Sequence, residues 1–185
     1  KELAIAVRDG DQVAILRKEQ GEFVLDGEYA VGRSPRALAV ADWNADGLED
    51  VAVINRVSED VAVLVNAPET DGFHVSSGIV PVEGEIADVE IANIDGDEFA
   101  DVLLLMKGGG DLIVLRGSSD GPVAEPAFYS TGFLPSQMTA ADFNNDGRED
   151  LCVALLVHSL RDEGALQVRL GQADGTLGEI LTVHV

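Results

Sequence analysis

The chain has 185 residues, 34 Asp+Glu against 12 Lys+Arg, and a formal charge of −22. So acidic a surface excludes nucleic acid, whose counterions only basic residues displace, and docking on anionic membranes. A hydrophobic share of 46% and a mean hydropathy of +0.12 exclude disorder as the reason for the acidity, and no apolar run reaches the ~18 residues of a membrane span.

In chain order, the first elements are short apolar runs separated by turns. Leu3 to Val7 reads as a strand, then an Asp9-Gly10 turn, a strand from Val13 to Leu16, and an extended stretch from Phe23 to Gly32. From residue 33 onward the pattern repeats three times. An apolar run ends in Ala (Ala37 to Ala41, Ile86 to Ala92, Met138 to Ala141) and a nine-residue acidic loop follows. A second run comes next, opening Val51, Val102 or Leu151. A third spans Val61 to Val65, Leu112 to Leu115 or Leu166 to Leu170. Turns at Asp71-Gly72, Asp120-Gly121 and Asp174-Gly175 lead into a weaker extended stretch, such as Phe73 to Val82. Asp-Gly between apolar runs is a hairpin signal, because Gly accepts positive φ at little cost. Gly108-Gly109-Gly110 reads as a further hairpin turn.

The acidic loops start at Asp42, Asn93 and Asp142, 51 and 49 residues apart. This period belongs to propeller-type repeats. Runs such as Val61-Ala62-Val63-Leu64-Val65 are apolar at consecutive positions, which suits strands buried on both faces rather than one side of an exposed sheet. The expected fold is all-β: a β-propeller, or a segment of one, of about four four-stranded antiparallel blades. The expected organisation is one repeat domain, 1–185, with units at about 1–32, 33–83, 84–132 and 133–185. The first unit lacks its first strand and acidic loop. Leu177 to Val185 ends where a further first strand would begin. The chain opens at Lys1 without initiator Met or signal peptide, which reads as a processed product or an excised piece.

Within each loop, oxygen-bearing side chains fall at positions one, three, five and nine. They are Asp42, Asn44, Asp46 and Asp50; Asn93, Asp95, Asp97 and Asp101; and Asp142, Asn144, Asp146 and Asp150. Ca²⁺ takes six to eight oxygens in a flexible geometry. With the backbone carbonyl of position seven (Leu48, Phe99 or Arg148), each loop offers most of such a shell. Gly47 and Gly147 at position six permit a sharp turn. The second loop departs there with Glu98 and carries an extra Gly96. An EF-hand is excluded, because position twelve is Val53, Leu104 or Val153 inside a strand instead of Glu before a helix. Three Ca²⁺ sites are therefore expected.

These stretches, Ala41 to Val53 and Ala141 to Leu151 above all, resemble the FG-GAP or VCBS-type repeat of the integrin α-chain propeller and of bacterial secreted propellers. The resemblance implies four-stranded blades with a Ca²⁺ loop between first and second strands, liganded by the twelve side chains and three carbonyls above. It also implies a secreted, cell-surface or periplasmic setting and a non-enzymatic binding or adhesion role toward a protein or glycan. The alternatives are a propeller of a secreted enzyme acting on polysaccharide or phospholipid, a carbohydrate-binding propeller, and a fragment or engineered segment. Such a segment would be completed by a second copy or by further blades.

Other residues read as structural. Trp43, Ile94 and Phe143, at position two of their loops, are expected to be apolar anchors. His74, His158 and His184 are scattered surface or edge residues. Cys152 is a small hydrophobe in a strand, and as the only cysteine it excludes an internal disulfide.

Overall fold

The computed structural model describes residues 2–67, 72–75, 80–81, 84–108, 110–118, 126–132, 134–156 and 165–184. The turns at Asp71 and Asp120-Gly121, Gly109, His158 and part of the Phe73 to Val82 stretch lie outside them. Among the described residues, helix is confined to one 3₁₀ turn at Arg8–Gly10, closed by Asp11 in the left-handed region (φ 51°). Everything else regular is strand, as short Val-, Ile- and Leu-rich runs broken by Gly dictate.

The strands form four antiparallel sheets. The first holds β1 (Glu2–Val7), β2 (Gln12–Glu19) and β3 (Glu22–Ala30), in that order. The second holds β4 (Pro35–Ala41), β5 (Asp50–Asn55), β6 (Asp60–Ala67) and β7 (Gly72–Val75), with β8 (Val80–Pro81) also paired to β6. β9 (Ile86–Ala92), β10 (Asp101–Met106), β11 (Asp111–Leu115) and β12 (Ala127–Ser130) build the third. β13 (Pro135–Ala141), β14 (Asp150–Leu155), β15 (Ala165–Arg169) and β16 (Leu181–His184) build the fourth. Each acidic loop joins the first and second strands of its sheet and closes a matching register: Ala41 faces Asp50, Ala92 faces Asp101, and Ala141 faces Asp150.

The chain divides into two compact units, Lys1–Asp42 with Gly47–Glu83, and Trp43–Asp46 with Gly84–Val185. In the first, Val13 and Ile15 of β2 pack on Val51, Val53 and Leu64 of the second sheet, with Tyr29 and Phe73 at the margin. In the second, Leu103, Leu105, Leu112 and Val114 of the third sheet pack on Met138, Leu151 and Val153 of the fourth. Central strands β5 and β10 are buried along their whole length, as consecutive apolar positions require when both sheet faces are covered. Each such side chain contributes roughly 1.5–3 kcal/mol by leaving water.

Polar stitches reinforce both packings. The Phe73 N–H donates to Tyr29 Oη (3.3 Å), and the Leu177 N–H donates to Tyr129 Oη (3.3 Å). In the second unit, carboxylates on β9 reach the open edge of β13: Asp88 Oδ2 accepts the Met138 N–H at 3.0 Å and Glu90 Oε1 that of Ala140 at 3.5 Å. Edge N–H groups covered in this way cannot pair with another strand.

Candidate functional site

The acidic loops are built by their own turn chemistry. Short Asp and Asn side chains accept backbone N–H groups two to five residues on and curl the chain around themselves. In the first loop the Gly47 N–H donates to Asp42 Oδ2 (2.8 Å), the Asp46 N–H to Asn44 Oδ1 (3.0 Å), and Asn44 Nδ2 to Asp46 Oδ2 (3.0 Å). The third loop repeats this. The Gly147 N–H donates to Asp142 (2.8 Å), and the Asp146 N–H to Asn144 (2.8 Å) and to Asp142 (3.1 Å). These N–H groups hold the Asp142 carboxyl below the usual range, the Gly147 bond first among them. Two left-handed residues bend each of these loops: Ala45 and Gly47 (φ 59° and 89°), and Asn145 and Gly147 (φ 59° and 86°).

The second loop bends differently. Only Gly96 is left-handed there (φ 74°), and Glu98 is not among the positive-φ residues, so it does not strain the turn. The Gly96 N–H donates to Asn93 Oδ1 (2.7 Å), that of Asp97 to Asp95 (3.2 Å) and that of Phe99 to Asp97 (2.7 Å).

Position nine stands apart from the other three. Asp50, Asp101 and Asp150 open the second strand of the second, third and fourth sheets and are essentially inaccessible to water. Asp150 Oδ2 accepts the N–H of Phe143 (3.0 Å) and Oδ1 that of Gly171 (2.8 Å). Asp101 accepts Ile94 (3.0 Å) and Gly117 (2.9 Å) in the same way, and Asp50 accepts Asn66 (2.8 Å). Each is a clamp that fastens the loop to the end of the third strand. Burial pushes the Asp101 carboxyl up to about 6 against the pull of those two N–H groups.

Arginines enter two loops. Arg116, just past β11, pairs with Asp95 and donates to the Gly175 carbonyl. Arg148 donates through its guanidinium to Asp146 (2.5 Å) and to the Gly171 carbonyl (3.2 Å). The third loop is also tied to the second, since Glu149 Oε2 accepts the Asn93 N–H (2.5 Å).

Positions one, three and five are thus drawn onto one turn in each loop, position nine lies beneath it, and position seven contributes its N–H in the second and third loops (Phe99 and Arg148). Among the described residues, no three Asp, Glu, His or Cys side chains converge as a group able to hold a metal ion. The donor chemistry nevertheless fits a hard cation: all the side-chain donors are oxygen, mostly carboxylate.

Trp43 and Ile94 are buried anchors, but Phe143 is 47% exposed and is not one. The Phe143 backbone is held by Asp150 instead, so its ring need not tuck in. Cys152 is half-buried, and burial raises its thiol pKa. His74 is exposed on β7. The clamp partners Gly117, Gly171 and Asn66, and the loop-entering Arg116, were not foreseen. Asn66 lies at the end of β6, whereas Gly117 and Gly171 each come two residues after their strand, so sequence spacing carries no common signal and strand register alone brings the three to equivalent places.

Four antiparallel sheets, three of them with equivalent acidic loops, define an all-β protein of the β-propeller class. Residues 93–153, from the second acidic loop into the strand after the third, match the family model of the FG-GAP-like repeat, so the chain carries such a repeat. Curated protein sequences give no match. Among solved structures, the chain is similar to hydrazine synthase of Kuenenia stuttgartiensis, with 18% identity and TM-score 0.64, covering 99% of this chain and 46% of that one. A protein from Lactobacillus plantarum is similar at 18% identity and TM-score 0.63, covering 93% and 49%. A putative 6-phosphogluconolactonase from Bacteroides uniformis is similar at 12% identity and TM-score 0.62, covering 99% and 54%. The chain spans about half the length of these structures, and at such identities the likeness is one of fold.

Proposed function

We propose that the protein is a Ca²⁺-stabilised, non-enzymatic propeller module that presents a binding surface to a protein or glycan outside the cell. The observation that supports this reading is the threefold recurrence of one loop design. Side-chain oxygens at positions one, three and five curl onto a single turn, above a buried carboxylate that fixes the turn to the sheet. The residues that would hold the ions are Asp42, Asn44, Asp46 and Asp50; Asn93, Asp95, Asp97 and Asp101; and Asp142, Asn144, Asp146 and Asp150, with the carbonyls of Leu48, Phe99 and Arg148. The ion would neutralise clustered carboxylates and tie first strand to second. It would not take part in a reaction. Nine of the chain's 34 acids are assigned to these loops as ligands. An exterior with millimolar Ca²⁺ is the setting in which flexible oxygen sites of modest affinity fill. No helix among the described residues is long and apolar enough to cross a membrane.

Titration calorimetry and melting with and without chelator test this reading. An ion that binds only the folded state adds about 2.7 kcal/mol at a hundredfold excess over its Kd, so Ca²⁺ should raise Tm and EDTA reverse it. No binding heat and an unchanged melt in excess chelator would sink the reading. A glycan array then separates a lectin from a protein-binding scaffold.

A further inference from the structure

The second acidic loop already holds a positive charge. Arg116 comes just past β11 and reaches back to the loop of its own sheet. Its Nη1 donates to Asp95 Oδ2, and its Nη2 donates to the Gly175 carbonyl in the turn after β15. All three residues belong to the second compact unit. The other Asp95 oxygen, Oδ1, accepts the Asp97 N–H (3.2 Å). Both carboxylate oxygens of loop position three are therefore in use, one on the turn and one on the guanidinium.

The pair is enclosed. The Asp95 side chain is 16% exposed and that of Arg116 31%, so water screens their attraction less than that of a surface pair. Gly175 closes over it. This residue is left-handed (φ 76°), and a Cβ there would stand 2.6 Å from Asp95 Cβ and 2.8 Å from Arg116 Nη1. Its turn is held by the Gln172 N–H on the Thr176 carbonyl (2.8 Å) and the Gly175 N–H on the Gln172 carbonyl (3.0 Å). The third loop has a looser counterpart. There Arg148 reaches Asp146, whose side chain is 31% exposed, so solvent screens that pair more.

We infer that Arg116 is a built-in competitor of the ion at the second loop, which Ca²⁺ fills only by expelling the guanidinium from Asp95. The inference rests on the reading of the acidic loops as Ca²⁺ sites. Two cations on one carboxylate oxygen repel each other strongly where water screens little. The guanidinium is tethered, so it competes at a high effective concentration. Free Ca²⁺ must then exceed what the same donors would need unopposed. Expulsion also breaks the bond from Arg116 to the Gly175 carbonyl, which ties the loop of the third sheet to a turn of the fourth. Arg116 thus lowers the Ca²⁺ affinity of the second loop and keeps this joint closed when the ion is scarce.

Calorimetric titration of Ca²⁺ into the wild-type chain and into Arg116→Gln tests this, together with melting in chelator and in Ca²⁺. Glutamine keeps a donor for the Gly175 carbonyl and removes the charge. The variant should bind one ion about tenfold or more tightly than wild type. Adding Asp97→Ala to it should abolish that gain, which locates the gain in the second loop. Arg116→Lys keeps the charge and should stay near wild type. Lys107→Gln removes the same charge at the far end of β10, where Lys107 pairs with Glu85, and should change the affinities by no more than about twofold. In chelator Arg116→Gln should melt below wild type, because Asp95 loses its counter-ion, and saturating Ca²⁺ should raise its Tm by more than that of wild type. Equal affinities and equal Ca²⁺ shifts in the two proteins overturn the inference and leave the Ca²⁺ reading standing. An ion lost from Arg116→Gln also overturns it, since Arg116 would then be building the site. No binding heat from either protein overturns the Ca²⁺ reading and this inference with it.

Discussion

Replacing Asp150 by Ala separates the clamp from the ion. The Asp150 side chain is fully buried and accepts two backbone N–H groups, from Phe143 and Gly171. A hydrogen bond to a charged group contributes about 1.5–3 kcal/mol, and stranded buried donors cost about as much again as a lost bond. Part of that loss is offset, because burying an ionised carboxylate is itself costly. The net expectation is about 3 kcal/mol, which moves a urea midpoint by about 1–2 M at an ordinary slope. Asp150→Asn keeps one acceptor oxygen and should lose about half as much. The measurement belongs in excess chelator, where no ion contributes. There Asp142→Ala, on the exposed side of the same loop, loses only turn bonds that water can replace and should move the midpoint clearly less than Asp150→Ala; in Ca²⁺ it should cost the ion-dependent part of the stability as well. If Asp150→Ala unfolds within about 0.5 kcal/mol of wild type in chelator, position nine is not a clamp. An Asp142→Ala variant that loses as much as Asp150→Ala in chelator would refute the division of roles.

Three further outcomes are expected. Ala45 holds a left-handed conformation (φ 59°) that costs an L-residue about 1 kcal/mol or more, so Ala45→Gly should stabilise the protein in thermal melts, whereas Asn145→Gly should gain less. Glu90 has its pKa raised first of all by burial, with Asp88 and Glu149 adding to it. The folded state therefore retains a proton that the unfolded chain has released, and stability falls as pH rises from about 4.5 through the folded pKa. Glu90→Gln keeps an acceptor for the Ala140 N–H, so it should raise Tm at pH 7 and flatten that slope. Finally, Gly108→Ala meets nothing within 4 Å and should cost only its positive φ, about 1 kcal/mol. Gly110→Ala drives a Cβ into the Gly132 carbonyl and should cost at least about 3 kcal/mol or prevent folding; equal melts would mean the backbone yields there.

The recurrence of Asp42 to Asp50, Asn93 to Asp101 and Asp142 to Asp150, with apolar runs on either side, makes the blade architecture readable without coordinates. Strand burial on both faces was equally legible, because consecutive Val, Ala, Ile and Leu leave no polar face for solvent. Positions one, three and five of the loops were readable because Asp and Asn act on N–H groups only two to five residues away. The role of position nine was not. Its partners Asn66, Gly117 and Gly171 lie 16 to 21 residues further on, and only strand pairing brings them to it. The exposure of Phe143 and the entry of Arg116 to Asp95 have the same origin. Local pattern reports the chemistry of a turn, whereas what lies above and below that turn is decided by neighbouring strands.

By itself, then, the sequence determined the repeat, its strands, the turn at each loop and the acidic character of the surface, since all depend on residues close in the chain. Tertiary structure alone decided which carboxylates are buried clamps and which remain at the surface, and which loops receive an arginine. Each depends on groups far apart in sequence that meet only when sheets pair and pack.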